Sequence, residues 1–148
     1  MPDPASTLIF RRSTPILDRR GLRAFAQQLM ADVAGGREFT CMFAGDQALR
    51  RFNRDFLGKD YASDVLSFPS GSGTGSLGDL AISLDRVEDQ AATYGHTVDT
   101  EVRVLMLHGV LHLAGHDHET DQGEMRKLET EWRLHYGLPA GLIERVRR

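Results

Sequence analysis

Three histidines in one short segment, LHGVLHLAGHDHE at residues 107–119, have types and spacing suited to chemistry. On a helix, His108 and His112 lie four residues apart, so both imidazoles project from nearly the same face, about 6 Å apart along the axis. Gly115 follows, and glycine readily adopts the left-handed conformation that ends a helix and turns the chain back. That turn can bring His118 to the same point. The spacing therefore predicts one metal ion held by His108, His112 and His118.

Zinc is the metal that this set of ligands predicts. Three imidazoles with a fourth position left to water are typical of a catalytic zinc site, whereas structural zinc usually has four protein ligands. Zinc in such a site lowers the pKa of water toward about 7. Cys41 is the only cysteine, which excludes a thiolate cluster. We therefore expect one Zn²⁺ per chain, used for hydrolytic chemistry.

The spacing HxxxHxxGxxH also occurs in metzincin proteases, which carry a glutamate directly after the first histidine as general base. Here that position is Gly109. Glycine cannot take a proton from water, so a peptidase is not expected.

Other polar residues lie close to the three histidines in the sequence. His116 is expected close to the site or at the surface, and not as a ligand. Asp117 or Glu119 is expected either to orient a ligand imidazole or to be an exposed acid. The sequence identifies no general base.

Periodicity and turn residues predict the elements that must position these side chains. The pattern is typical of an α/β (α+β) fold, a small mixed sheet covered by helices, with the metal site at the end of a central helix. The expected strands cover residues 7–10, 39–43, 64–68 and 78–84, and the run SGSGTGS at 70–76 is a loop. The expected helices cover residues 16–34, 46–56, 85–94, 98–114 and 121–136.

Two local details accompany this prediction. In the second helix, Leu49, Phe52 and Phe56 are expected to face inward. The last helix is expected to start with the capping pair Asp121 and Glu124.

Composition favours an ordinary globular protein. The 148 residues fit one domain over positions 1–148, and the 41% hydrophobic content is near average. The longest apolar stretch, residues 102–113, contains Arg103 and two histidines, so no membrane span is expected. The first residues lack the pattern of a secretory signal, which predicts a cytoplasmic location.

Charge is distributed unevenly along the chain. The net charge is −3, but residues 1–60 carry ten Lys or Arg and seven Asp or Glu, while residues 61–148 carry eight and fourteen. If a nucleic acid binds, the first half must supply the cations. Arg50, Arg54 and Lys59 are the candidates for an RNA-binding path toward the metal, with Lys59 also a candidate for neutralising charge during catalysis. The alternative is that all three are scattered solubilising charges.

Three motifs together resemble a known family. The segment HGVLHLAGHDH at 108–118, DVLSFP at 64–69 and GDLAIS at 78–83 are similar to those of the bacterial YbeY family of rRNA maturation endoribonucleases. The resemblance runs from about Phe39 to Trp132. It implies a zinc ion on the three histidines and a single-strand-specific, metal-dependent endoribonuclease. It further implies roles in 16S rRNA 3′-end maturation, ribosome quality control and small-subunit biogenesis. The implied partners are rRNA, the small ribosomal subunit, one of its proteins and a ribosome-associated GTPase.

This sequence departs from the family pattern at two positions. Many members have Arg where this chain has Leu57, so a role for that Arg cannot be transferred. Lys59 keeps a cation in the loop, but an ammonium cannot make the bidentate phosphate contact of a guanidinium. The second departure is His116, where Tyr is common.

Two other functions remain open from the residues alone. One is a non-catalytic ribosome assembly factor with a structural zinc, and the other is a metal hydrolase of a small substrate. An open site beside a basic groove would favour the nuclease, and a sealed site would favour the assembly factor.

Overall fold

The computed structural model describes residues 7–12, 16–60, 63–70 and 75–146. Four strands and six helices occupy these ranges, in a mixed α/β arrangement that confirms the predicted fold class. In chain order they are β1 (Thr7–Phe10), α1 (Arg19–Asp32), β2 (Glu38–Ala44), α2 (Asp46–Leu57), β3 (Val65–Pro69), β4 (Ser76–Ser83), α3 (Leu84–Tyr94), α4 (Val98–Leu113), α5 (Glu124–Tyr136) and α6 (Leu142–Val146). Within these ranges no helix has both the length and the apolar content to cross a membrane.

The four strands form one mixed sheet in the order β1-β2-β4-β3. β1 and β4 both pair with β2 in parallel, while β3 pairs with β4 in the antiparallel direction. The β2–β4 register shifts between Glu38 and Phe39, which face Ser76 and Gly78. The DVLSFP and GDLAIS segments are therefore neighbours along one edge of the sheet.

The main core lies between one sheet face and the helices α1, α3, α4 and α5. β2 places every second side chain on this face, as the two-residue period of a strand requires; these are Phe39, Cys41 and Phe43. α4 is apolar around most of its circumference and most of its residues are buried. A helix with this pattern belongs in the interior. α4 is thus the central helix that the sequence predicts, and it contacts α1, α3, α5 and α6 as well as β3 and β4.

α2 covers the opposite face of the sheet. Leu49 is buried against Leu66 and Ala81, and Phe52 packs on the same small cluster. The prediction that Phe56 faces inward is wrong, because its side chain is 70% exposed. It lies instead near the end of the helix, with its ring edge-on to Phe68 at 5.8 Å.

Several element ends differ from the predicted ones. α1 begins at Arg19 rather than at residue 16, because the Asp18 carboxylate caps it by accepting from Gly21 N–H. α5 begins at Glu124 rather than at Asp121, whose carboxylate accepts from Gly123 and Met125 N–H and so caps the helix from outside. α6 was not predicted. In the predicted SGSGTGS loop, residues 71–74 lie outside the described residues.

Gly109 allows α4 to lie directly on the sheet. A Cβ at this position would come within 2.6 Å of Leu80 Cδ2, which is closer than carbon atoms can pack. Leu80 is almost fully buried, so its side chain has little room to move aside. α4 and its two histidines can therefore lie this close to the sheet only because Gly109 has no side chain.

We predict that Gly109→Ala destabilises the protein by about 1–3 kcal/mol through overpacking, despite the better helix propensity of alanine. Denaturant unfolding measures this change. Gly75 is the control, because a Cβ there meets no atom of the described residues within 4 Å, and Gly75→Ala should stay within about 0.5 kcal/mol of wild type. Leu80→Ala should relieve the clash, so the double variant should lose less stability than the two single changes summed. If the stability losses of the two single changes simply add in the double variant, the proposed clash between position 109 and Leu80 is wrong.

Candidate metal centre

α4 brings two of the predicted ligands together. His108 and His112 lie one turn apart, and their Nε2 atoms are 3.1 Å from each other. Two zinc–nitrogen bonds of about 2 Å each can span roughly 4 Å, so one ion can bond to both atoms. The rings are 75° from parallel, with centroids 4.7 Å apart. This helix therefore provides two converging nitrogen ligands, as the spacing predicts.

The turn after α4 brings in the third histidine. Gly115 has a φ of +102°, and its N–H donates to the His112 carbonyl. The His116 N–H then donates to the Leu111 carbonyl, which folds the chain back over the helix end. As a result His118 joins His108 and His112, with one nitrogen from each ring within 4.8 Å of the others.

Glu129 of α5 orients the most buried of the three rings. Its Oε2 lies 2.6 Å from His108 Nδ1, and its Oε1 accepts from the Ile143 N–H at 3.1 Å. Both side chains are buried. A carboxylate at Nδ1 keeps the proton there and leaves Nε2 free as a metal ligand. The sequence suggests Asp117 or Glu119 for this task and does not point to Glu129, which lies 21 residues from His108.

The His112 ring is held in the form that binds metal. Its pKa is lowered, chiefly by burial and then by the neighbouring His108 and His118. A lowered pKa favours the neutral imidazole, which is the form that coordinates zinc. A hydrogen bond to the His116 backbone and the charge of Asp117 act weakly in the opposite direction. His116 and Asp117 therefore adjoin the site.

The residues present fit a metal ion. The Nδ1 atom of His118 is buried and has no hydrogen-bond partner in the described part of the chain. An unpaired buried polar group costs about 1–3 kcal/mol, and an ion bonded to this nitrogen would remove that cost. Among the residues that the structure describes, the cluster consists of three imidazoles with no fourth protein ligand, which is the donor set of a catalytic zinc site. His108 is buried while His112 and His118 are half-buried, so one side of the cluster faces outward.

The cluster opens into a cleft of about 600 Å³. Lys59 lines this cleft, and it forms no ion pair with any residue that the structure describes. Leu57 also lines it and is 46% exposed. Lys59, in the loop between α2 and β3, thus brings a positive charge to the cleft.

The two candidate arginines lie outside the cleft lining and hold carboxylates. Arg50 Nε is 2.8 Å from Asp60, and Arg54 Nε is 3.1 Å from Asp55. The hydrogen bond from Arg50, and then its charge, lower the pKa of Asp60. These pairs are exposed, so each arginine can exchange its carboxylate for a phosphate at little cost.

Fold and site together define an α/β protein with a cluster of three histidines that could hold a metal ion, in an open cleft. A family model described as endoribonuclease YbeY matches residues 11–137, and the chain belongs to this family.

Relatives and a solved structure agree with this membership. A protein named endoribonuclease YbeY from Solibacter usitatus is 57% identical over 141 residues, which are 95% of each chain. One of the same name from Nautilia profundicola is 44% identical over 110 residues, covering 74% of this chain and 79% of the relative. The solution structure of TM1509 from Thermotoga maritima matches with a TM-score of 0.60, over 85% of this chain and 86% of that one. At 23% identity it supports the fold alone.

We predict that Glu129→Gln lowers metal affinity by about 10- to 100-fold, as is usual for the loss of a partner that orients a ligand. The His108 ring and the Ile143 N–H both donate to Glu129, and a glutamine has only one acceptor oxygen for the two of them. Competition with a chelator measures the affinity. Glu131→Gln changes an exposed glutamate on the same helix and should have no effect. Equal affinities in the two variants would show that Glu129 does not orient the ligand.

Proposed function

We propose that this chain is a zinc-dependent endoribonuclease that cuts single-stranded RNA. The observation that carries the proposal is a three-histidine cluster with an outward-facing side, in a cleft that also contains a lysine. Membership of the endoribonuclease YbeY family supports RNA as the substrate class. An open cleft of about 600 Å³ beside the cluster favours an enzyme over an assembly factor with a sealed structural zinc.

The residues of the chain have distinct tasks in this reaction. A zinc ion on His108, His112 and His118 supplies Lewis acidity toward a phosphate oxygen or a water molecule. Glu129 holds the His108 proton on Nδ1, which fixes the direction of Nε2. Lys59 adds a positive charge to the cleft wall, where it can attract the phosphate and stabilise charge that develops on it. Single strands fit best, because their phosphates can bend into a cleft that a double helix cannot enter.

The family also suggests where this activity is used. We propose 16S rRNA 3′-end maturation, ribosome quality control and small-subunit biogenesis as the processes, with rRNA in the small subunit as the substrate. A small-subunit protein and a ribosome-associated GTPase are the proposed protein partners. A cytoplasmic location would match all of these.

Peptide hydrolysis is disfavoured by the packing of α4 as well as by the sequence. The base that a metzincin needs would occupy position 109, whose Cβ direction points into Leu80 of β4. A glutamate introduced there would meet the sheet and not the metal centre.

We predict about one zinc per purified chain and zinc-dependent cleavage of unstructured RNA. His108→Ala and His112→Ala should each lose most of the zinc and the cleavage, and should unfold at lower temperature because bound metal stabilises only the folded state. Metal analysis, a melting curve and a cleavage assay on the same preparations test this. Full zinc content in His112→Ala would refute the ligand assignment, and zinc-loaded protein that leaves single-stranded RNA intact would refute the nuclease.

We predict that Lys59→Ala weakens RNA binding and makes its salt dependence shallower by about 0.7, the slope expected for one phosphate contact on a single strand. Lys127 is the only other lysine and is exposed on α5 away from the cleft, so Lys127→Ala is the matched control and should bind like wild type. Binding across a salt series, with zinc content checked, gives both values.

The triple change of Arg50, Arg54 and Lys59 to Ala tests the whole proposed path. A loss beyond that of Lys59→Ala would assign a part of the binding to the two arginines. A triple variant that binds with the affinity and salt slope of wild type would show that the basic path is wrong.

A further inference from the structure

A second cavity of about 370 Å³ lies directly beside the metal centre. His108, His118, Asp64 and Leu142 line both this cavity and the metal-centre cleft. The other lining residues come from α3 and α6 and are Gln90, Thr93, Tyr94 and Arg145. An extended ligand held at the histidines can therefore reach into both spaces.

The cation in this wall is already neutralised. Arg145 donates two hydrogen bonds of 2.8 Å to the two carboxylate oxygens of Glu101, and both side chains are buried. Such a bidentate pair uses the donors of the guanidinium and cancels its charge. Asp64 adds a carboxylate to the same wall. Phosphate would therefore gain little here, which separates this cavity from the cleft that contains Lys59.

Asp64 is held as an oriented hydrogen-bond acceptor. Its Oδ1 accepts from the Val65 N–H at 2.9 Å, and its Oδ2 accepts from Gln90 Nε2 at 3.2 Å. Gln90 is fixed in turn, since its Oε1 accepts from Arg145 at 3.3 Å. Asp64 has no cationic partner within the described part of the chain, and a carboxylate has about four lone-pair sites, so both oxygens keep acceptor capacity.

The remaining wall suits a flat, partly apolar ligand. Tyr94 is 38% exposed, with the Arg145 guanidinium 4.2 Å from its ring centroid, and Leu142 adds an aliphatic surface. Proteins that recognise single-stranded RNA pair aromatic surfaces with hydrogen bonds to the edges of unstacked bases. The volume is within the range of about 300–1,000 Å³ usual for small-ligand sites.

We propose that this cavity is a nucleobase subsite for a nucleotide that flanks the scissile phosphate, and that Asp64 selects guanine over uracil there. The proposal rests on the endoribonuclease function proposed above. Guanine has an imino N–H and an amino group side by side on one edge, and both can donate to the two oxygens of one carboxylate. Uracil has a single N–H between two carbonyl oxygens, which a carboxylate repels.

Nucleosides test the subsite independently of cleavage, since guanosine and uridine carry no phosphate that could bind the metal. Each is titrated into the zinc-loaded full chain while the NMR signals of the Gln90 side-chain amide and the Tyr94 ring are followed. Guanosine should shift both signals at a concentration roughly tenfold lower than uridine does, the discrimination expected of one bidentate contact. Asp64→Asn should abolish the difference.

Asp89→Asn is the matched control, because Asp89 is exposed on α3 and lines neither cavity. It should keep the guanosine preference of wild type, and zinc content and melting temperature should be equal in all three proteins. An equal response to both nucleosides in wild type, or shifts at residues away from the cavity, would overturn the subsite.

Cleavage of RNA that differs only by G or U beside the cut separates the two proposals. RNA cleavage without any guanosine preference would refute the subsite and leave the nuclease intact. Guanosine binding at Gln90 and Tyr94 in a protein that cuts no RNA would refute the nuclease and support a base-binding site.

Discussion

The hydrogen bond between His108 and Glu129 is the interaction on which the rest of the site depends. A carboxylate this deeply buried is stable only when its oxygens have donors, and here the donors come from α4 and from the start of α6. Three helices are therefore held at one point inside the core. The same bond sets the proton on the His108 ring and so determines which nitrogen would bind a metal ion. The hydrogen bond between His108 and Glu129 thus both stabilises the helix packing and fixes the geometry of the metal centre.

α6 shows how a very short helix can matter for both cavities. Its first turn supplies the Ile143 N–H to Glu129, and its Arg145 pairs with the buried Glu101 near the start of α4. A helix of five residues is not stable alone, so these two buried polar contacts, together with the packing of Ile143 in the core, are what hold it. α6 thus bonds to α5 at one of its residues and to the start of α4 at another, and its Leu142 lines both the metal-centre cleft and the neighbouring cavity.

The sequence predicted the local parts of this site and missed the distant ones. His108, His112 and His118 were identifiable because helix periodicity and a turn at Gly115 place residues within eleven positions of one another. Glu129 lies 21 residues from His108, and only the packing of α5 on α4 brings them together. α6 has too few residues to show a periodic pattern. Phe56 fits the apolar period of α2, but it stays 70% exposed beside Phe68 of β3, and this exposure depends on tertiary packing that no local pattern encodes.

The charge distribution explains how an acidic protein can present a site suited to RNA. Arg50 and Arg54 already hold Asp60 and Asp55, and Arg145 holds Glu101, so much of the positive charge near the site is balanced within the protein. Lys59 lines the cleft, and among the described residues no carboxylate forms an ion pair with it. Coulomb attraction falls off within about 10 Å at ordinary ionic strength, so the −3 net charge of the whole chain has less influence at the cleft than these few local groups. A metal ion on the three histidines would be the largest positive charge in that volume, so attraction of phosphate and activation of the bond to be cut would act at the same place.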